Sequence, residues 1–503
     1  MLAVAHTFTL VGVAAGGVRA EVDVGGGLPA VSLVGLPDAE VRESRERVRA
    51  ALANSGFEFP LRRITASLAP ADMRKQGPGL DLAIAAALLV ASGQLGGEVL
   101  DRCWLAGELA LDGSIRPVAG VLAMAEEARR DGAEAVAVAA ANAGEAALVE
   151  GLTIFPLRGL GELRGLAAGT LAPLDRSELA AAAANGSEPG LPDLGELRGQ
   201  PFLRHALEIA AAGGHSLLMV GPPGSGKSMA ARRLPSLLPP LGREGAIEVT
   251  RIASACGRPP SPGTLAPRPF RAPHHTISAA GLVGGGSPPR AGEATLAHGG
   301  VLFLDELGEF SRAALEALRQ PLEDGRITVT RARHSVELPC RFMLVAASNP
   351  CPCGRGESSA RCRCPEATVR RYQSKLSGAL ADRIDISVGV EQPAARALRS
   401  EPGEPSEDVR GRVSAARVRQ EHRLGPGRCN AGMTPAETRR ACRLDRAAER
   451  LLVRSHDRLG LSGRGHERVL RVARTLADLG GRDDVEARDV EGALTLRRRV
   501  AGP

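Results

Sequence analysis

Ser216-Leu-Leu-Met-Val-Gly-Pro-Pro-Gly-Ser-Gly-Lys-Ser228 decides the fold. The run up to Val220 is apolar enough for a buried strand, and a helical Ala/Arg stretch follows Ser228. Between them lies GxxxxGK[ST] in the strand, loop and helix setting that gives the pattern its meaning. Glycines let such a loop turn its backbone N–H groups inward around phosphates, and the helix N-terminus adds its positive end. Gly221, Pro222, Pro223, Gly224, Ser225 and Gly226 are the expected cradle. Lys227 is expected on the β- and γ-phosphates of ATP, and the Ser228 hydroxyl on Mg²⁺.

Two later strands supply partners for that loop. Val301-Leu-Phe-Leu-Asp-Glu306 is an apolar run ending in two carboxylates. Asp305 suits the Mg²⁺ shell, and Glu306 suits a base that orients or deprotonates the attacking water. Phe342–Ala347 is a third apolar run and ends in Ser348-Asn349, whose amide can hold that water against the γ-phosphate. The alternative for Asn349 is a plain turn cap before Pro350.

Working outward, 503 residues are enough for two or three domains. Hydrophobic residues make up 44% and aromatic ones 2%, so the cores must be aliphatic. Of the 64 cationic residues only Lys75, Lys227 and Lys375 are lysines. The net charge of +7 fits a nucleic-acid binder, but 57 acidic residues offset most of the basic ones. No apolar run is long enough for a membrane span, and the apolar N-terminus lacks a basic start. The cytoplasm and no membrane partner are therefore expected.

Val11–Gly16, Ala30–Val34 and Leu61–Leu68 read as strands, and Asp38–Ser55 and Asp81–Ala91 as helices. The breaker-rich stretch from Gly169 to Pro192 reads as a linker. Glu401–Ser406 introduces a helical tail in which Val469, Val472, Ala473, Leu476 and Leu479 share one face. The tail is also rich in arginine over 410–423 and 439–471.

Cys351-x-Cys353 and Cys362-x-Cys364 enclose eight residues. Two close pairs on a short polar loop can bring four thiolates around one structural Zn²⁺. Reduced free thiols and redox chemistry are the alternatives. His274-His275 has no acidic or Cys partner nearby in sequence, so a ligand role is not expected.

These blocks resemble the AAA+ superfamily and, more narrowly, the magnesium-chelatase-like YifB/ComM family over nearly the whole chain. GPPGSGKS, VLFLDE, SNPCPCG, SKLSGALADRID and SGRGHERVLRVARTLADL stand in that family's order. The resemblance implies a P-loop AAA+ core with a helical lid, preceded by an α+β, ribosomal-protein-S5-like (Lon protease-like) domain. It implies four stretches: 1–170 for that domain, 171–193 linking, 194–392 for the ATPase core and 393–503 for the lid. It implies Asn349 as sensor 1, Arg383 as an arginine finger given to the next subunit of a homo-hexamer, and Arg464 as sensor 2, with Arg468 a nearby competitor.

Ser278–Arg290 looks like a helix-2 insert, flexible and glycine-rich, and Gly325–Pro339 like a pre-sensor-1 hairpin facing a pore. Arg326, Arg331 and Arg333 there are candidates to track a phosphate backbone. The ComM side of the resemblance implies helicase or branch-migration work on single-stranded or branched DNA in recombination. A chelatase- or chaperone-type motor acting on a protein is the alternative. The resemblance to the Lon proteolytic domain rests on Ala69–Leu80 and Gly107–Val121. There Lys75-Gln-Gly-Pro-Gly79 has glycine in the place of the nucleophile, and the lysine expected near Leu122 is missing. A Ser-Lys dyad needs both groups, so proteolysis is not expected.

Overall fold

Alternation of apolar and polar side chains builds the first sheet. In Ala14–Gly25, Val18, Ala20, Val22 and Val24 point inward while Arg19 and Asp23 face water, the period-two signature of a half-buried strand. The computed structural model describes residues 1–98, 101–179, 190–286, 289–331, 334–356, 362–377, 380, 383–399 and 401–497. They fall into two compact units, one of Met1–Glu188 with Ala246–Ala266, the other of Pro189–Gly245 with Pro267–Pro503.

The first unit carries a seven-stranded sheet in the order 30–34, 63–69, 14–25, 2–11, 103–106, 135–139, 153–157. One half pairs mainly antiparallel and the other parallel. Helix Ala39–Asn54 starts at Asp38, whose carboxylate caps Val41 N at 2.8 Å, and helix Asp81–Ala91 is buried along its whole length. The strand expected over Val11–Gly16 is interrupted by a hairpin turn at Gly12 and Val13. Leu2–Val11 and Ala14–Gly25 pair with Val11 opposite Ala14, and Gly12 takes φ 68 between them, a conformation glycine adopts without strain.

The expected linker begins inside this unit. Arg176 donates to the carbonyls of Ala147, Val149 and Leu152 at 2.6–2.9 Å, and 180–189 lie outside the described residues. The Lon-like turn is in place, with Gly77 at φ 79 leading into Pro78–Leu80. Lys75 is fully buried, its Nζ donates to Pro70 O, and burial lowers its pKa. Leu122 lies buried in helix Val121–Arg130.

The second unit holds a five-stranded parallel sheet in the order 386–389, 217–220, 343–348, 301–304, 270–271. Val301–Leu304 and Met343–Ser348 are buried at every position, as expected of strands covered on both faces. Leu217–Val220 lies inside the sheet, so the loop after it opens at the carboxyl edge, where such sheets bind ligands.

Helices of the tail pack on the same core. In Gly463–Leu479, Val469, Val472 and Ala473 are buried, and Leu476 and Leu479 join them in part. Within the glycine-rich stretch 278–290 the described residues form regular elements, and 287–288 lie outside the described residues. Ser278 Oγ accepts from Gly281 N and starts helix Ala279–Val283, and Gly284–Gly285 pairs with Arg290–Ala291. Many arginines of the tail are occupied inside the fold. Arg412 pairs with Glu208 and Glu404, Arg423 with Asp478, Arg428 with Glu437 and Arg474 with Asp478. A count of basic residues therefore overstates the charge this tail presents to a polyanion.

Candidate nucleotide site

The phosphate loop is shaped by close backbone approach. A Cβ on Gly221 would stand 2.1 Å from Val390 O, and Gly224 and Gly226 take φ 74 and 91. Lys227 begins helix Lys227–Leu237, and its Nζ donates to Gly221 O (2.7 Å), Pro222 O (2.8 Å) and Asn349 Oδ1 (3.3 Å). The lysine expected on the phosphates and the amide expected on the attacking water thus meet directly. Burial lowers the pKa of Lys227, while Asp305 and Glu306 pull it back up. Ser225 Oγ is buried without a hydrogen-bond partner among the described residues, as fits a donor left for a phosphate oxygen.

Ser228 Oγ donates to Asp305 Oδ2 at 2.6 Å. Two hard oxygen donors side by side at the loop's edge fit Mg²⁺. Glu306 follows with φ 53, a left-handed backbone that a glutamate holds only where its surroundings fix it. Its Oε2 lies 3.4 Å from His275 Nδ1, and His275 packs edge-on to Phe310. His275 thus stands against the expected base. Sequence spacing did not signal this, because the contact crosses from one loop to another with no shared period.

Beside the loop opens a cavity of about 380 Å³ bordered by Leu197, Gln200, Gly226, Met229, Pro393 and Leu398. Its size falls within the range of small-molecule pockets. Gln200 Nε2 fixes one wall by donating to Ser225 O (3.2 Å) and Glu391 O (2.5 Å). Gly226 belongs to the phosphate-loop motif, but no motif in the sequence marks the others, which come together from three separate stretches.

Arg383 and Arg464 lie at one carboxylate. Arg383 pairs with Glu323 Oε1, and Arg464 Nη1 lies 3.5 Å from the same oxygen. Their side chains are 12% and 65% exposed. Arg468, the competitor for Arg464, is 9% exposed with its Nε 3.5 Å from Asp385 Oδ1.

The four cysteines gather directly behind Asn349. Their sulfurs all lie within 4.8 Å of one another, with separations of 3.4, 3.8 and 3.7 Å among Cys351, Cys353 and Cys362. Four sulfurs held tetrahedrally at about 2.3 Å from zinc would stand about 3.8 Å apart, so the donor set and its spacing fit. Gly356 N donates to Cys351 Sγ at 3.3 Å. The Arg355 backbone N–H and the neighbouring thiols pull Cys353 down to about 6. Cys364 completes the set. The other cysteines, Cys103, Cys256, Cys340, Cys429 and Cys442, do not belong to it.

The hairpin expected over Gly325–Pro339 is present, with Arg326–Arg331 paired antiparallel to His334–Pro339. Arg326 bonds Glu337 at 2.6 Å. Arg333 lies outside the described residues, and the side chain of Arg331 does too. Among the described residues no helix is long and apolar enough to cross a membrane.

This arrangement of strand order, phosphate loop, acidic strand end and lid defines a magnesium-chelatase-type P-loop ATPase module. Family models agree. Residues 193–398 match the magnesium chelatase subunit ChlI, 20–142 match the subunit ChlI of Mg-chelatase, and 403–497 match the ChlI C-terminal region. The chain is 45% identical to the uncharacterized protein Rv2897c of Mycobacterium tuberculosis over 96% of each chain. It is 42% identical to YifB of Escherichia coli over 99% of this chain and 97% of that one, and 40% identical to competence protein ComM of Haemophilus influenzae over 99% and 98%. The chain belongs to the YifB/ComM family of magnesium-chelatase-like AAA+ proteins. A shorter match, 28% identical over 37% of the chain and 38% of the relative, is to Lon protease 2 of Bacillus subtilis, in keeping with a Lon-like region.

Proposed function

We propose that this chain hydrolyses ATP as a homo-hexameric motor and translocates on DNA, as a helicase or branch-migration factor in recombination. The observation that carries the ATPase half is the pairing of Lys227 with Asn349 and of Ser228 with Asp305 at the same phosphate loop, with Glu306 next in sequence to Asp305. ATP with Mg²⁺ supplies the reactive phosphoanhydride and screens its charge. Lys227 and the loop N–H groups bind the phosphates, and Ser228 and Asp305 hold the cation. Glu306 takes or steers the proton of the attacking water while Asn349 orients it. The 380 Å³ cavity beside Gly226 takes the nucleoside.

Arg383 then serves as the finger for a neighbouring subunit's ATP and Arg464 as sensor 2, each offsetting charge that builds on the γ-phosphate. The exposure of Arg464 beside the buried Arg468 supports Arg464 as the sensor. The four cysteines hold a structural zinc, and the Lon-like unit, with Gly79 and Leu122 in place of a dyad, is a scaffold rather than a protease.

DNA is supported by the relative named as a competence protein and by the arginines of the 325–339 hairpin. One observation favours the alternative of a protein partner, since Arg326 is engaged by Glu337 and the tail arginines are widely paired. The deciding experiment measures ATPase rate with and without single-stranded, duplex and branched DNA at fixed salt. DNA stimulation that disappears when Arg331 and Arg333 are both changed to Ala, with basal hydrolysis kept, is the expected result. Equal loss of both rates would move the hairpin to assembly, and no stimulation by any DNA would favour a protein substrate.

A further inference from the structure

The cysteine knuckle is built against the phosphate loop. Cys351 follows Asn349 by two residues, and Gly354 N donates back to Cys351 O at 2.8 Å to close a turn with Gly354 at φ 79. A Cβ on Gly354 would stand 2.6 Å from both Cγ and Cδ of Pro223 and 3.9 Å from Cγ of Asn349. The turn is therefore wedged between the cradle and the sensor, and glycine is what permits the approach. On the other side Asn349 Oδ1 accepts from Lys227 Nζ at 3.3 Å. The knuckle thus meets the phosphate loop twice, once by van der Waals contact and once through Asn349.

A metal bound by the four cysteines fixes the backbone of 351–354, and that backbone sets where Pro223 and Asn349 can be. Conversely, a triphosphate that fixes Pro223 and Asn349 holds the turn in its ligating shape. Coupling between two such sites is reciprocal. We propose that zinc occupancy of the knuckle and nucleotide occupancy of the phosphate loop are thermodynamically linked, with the loaded knuckle acting as a strut behind Pro223. The linkage rests on the zinc assignment above.

The test uses the full-length protein and reads zinc directly. Zinc content is measured per chain, and its loss to a zinc-selective chromophoric chelator is timed in excess Mg²⁺, with and without a non-hydrolysable ATP analogue. We expect one zinc per chain, measurably slower loss with the analogue, and, in equilibrium competition with the chelator, zinc held at least about fivefold more tightly with the analogue, the lower end of typical coupling factors. Gly354→Ala keeps all four sulfurs but places a methyl against Pro223. It should retain zinc while losing most of the protection and binding the analogue more weakly. Lys227→Ala should also retain zinc and lose protection, which ties the effect to the phosphate loop. Zinc loss that is indifferent to nucleotide in the unaltered protein overturns the linkage and leaves the metal site standing. Absence of stoichiometric zinc removes the metal site itself and the linkage with it.

Discussion

Glu306 holds a backbone conformation that its side-chain type disfavours, next to a carboxylate already committed to Ser228. Glu306→Gln should bind ATP normally and lower steady-state phosphate release by about 10²- to 10⁴-fold, the usual worth of a positioned acid–base group. Normal turnover in that variant would take Glu306 out of the water-activating role. Asp305 and Asn349 were legible from sequence because each follows an apolar strand that announces it, and Lys227 and Ser228 because the GxxxxGK[ST] spacing marks them. His275 and Leu197, Gln200, Pro393 and Leu398 around the cavity beside the loop were not, because they come together from separate stretches that leave no local pattern.

Among the elements, the junction between sheet and lid turns on Asp385. It follows Arg383 closely, accepts from Ser216 N at 3.3 Å, and lies 3.3 Å from His215 Nδ1 and 3.5 Å from Arg468 Nε. His215 is fully buried and reaches Thr475 of the lid helix at 2.8 Å through its other nitrogen. Burial works to raise the pKa of Asp385, but His215, Arg468 and Arg471 overcome it and hold the carboxyl below its ordinary value.

Asp385→Asn leaves a buried guanidinium without its carboxylate and should destabilise the second unit by about 3 kcal/mol, read as a lowered thermal midpoint. Because the folded pKa is depressed, this contribution is fully present above the unfolded value of about 3.9 and is lost as pH falls through the folded one. The gap between variant and parent should therefore close only in acid; a gap constant with pH would contradict the ionised pairing. The lid helix was legible through its apolar period. The partners of its arginines were not, since composition counts charges and cannot tell which are paired.

For the whole molecule, the expectation of a shared active site has a direct test. Lys227→Ala and Arg383→Ala should each abolish hydrolysis alone. Mixed in equal amounts, they should recover up to about a quarter of the parent rate, the share of boundaries at which both intact residues meet in a randomly assembled ring. No recovery under assembling conditions would place Arg383 in its own chain's chemistry.

One topological fact shapes any attempt to take the molecule apart. The segment Ala246–Ala266 belongs to the first unit although the chain on either side of it belongs to the second. Within the first unit its Ser254 O accepts from Gly120 N at 3.0 Å, and Arg251 pairs with Glu126 at 3.1 Å. The polypeptide thus passes from one unit to the other three times along its length, so no single cut separates them. A fragment beginning near residue 190 would carry Ala246–Ala266 without the Gly120 and Glu126 partners of Ser254 and Arg251, and should be recovered as aggregate unless 1–188 is supplied alongside it.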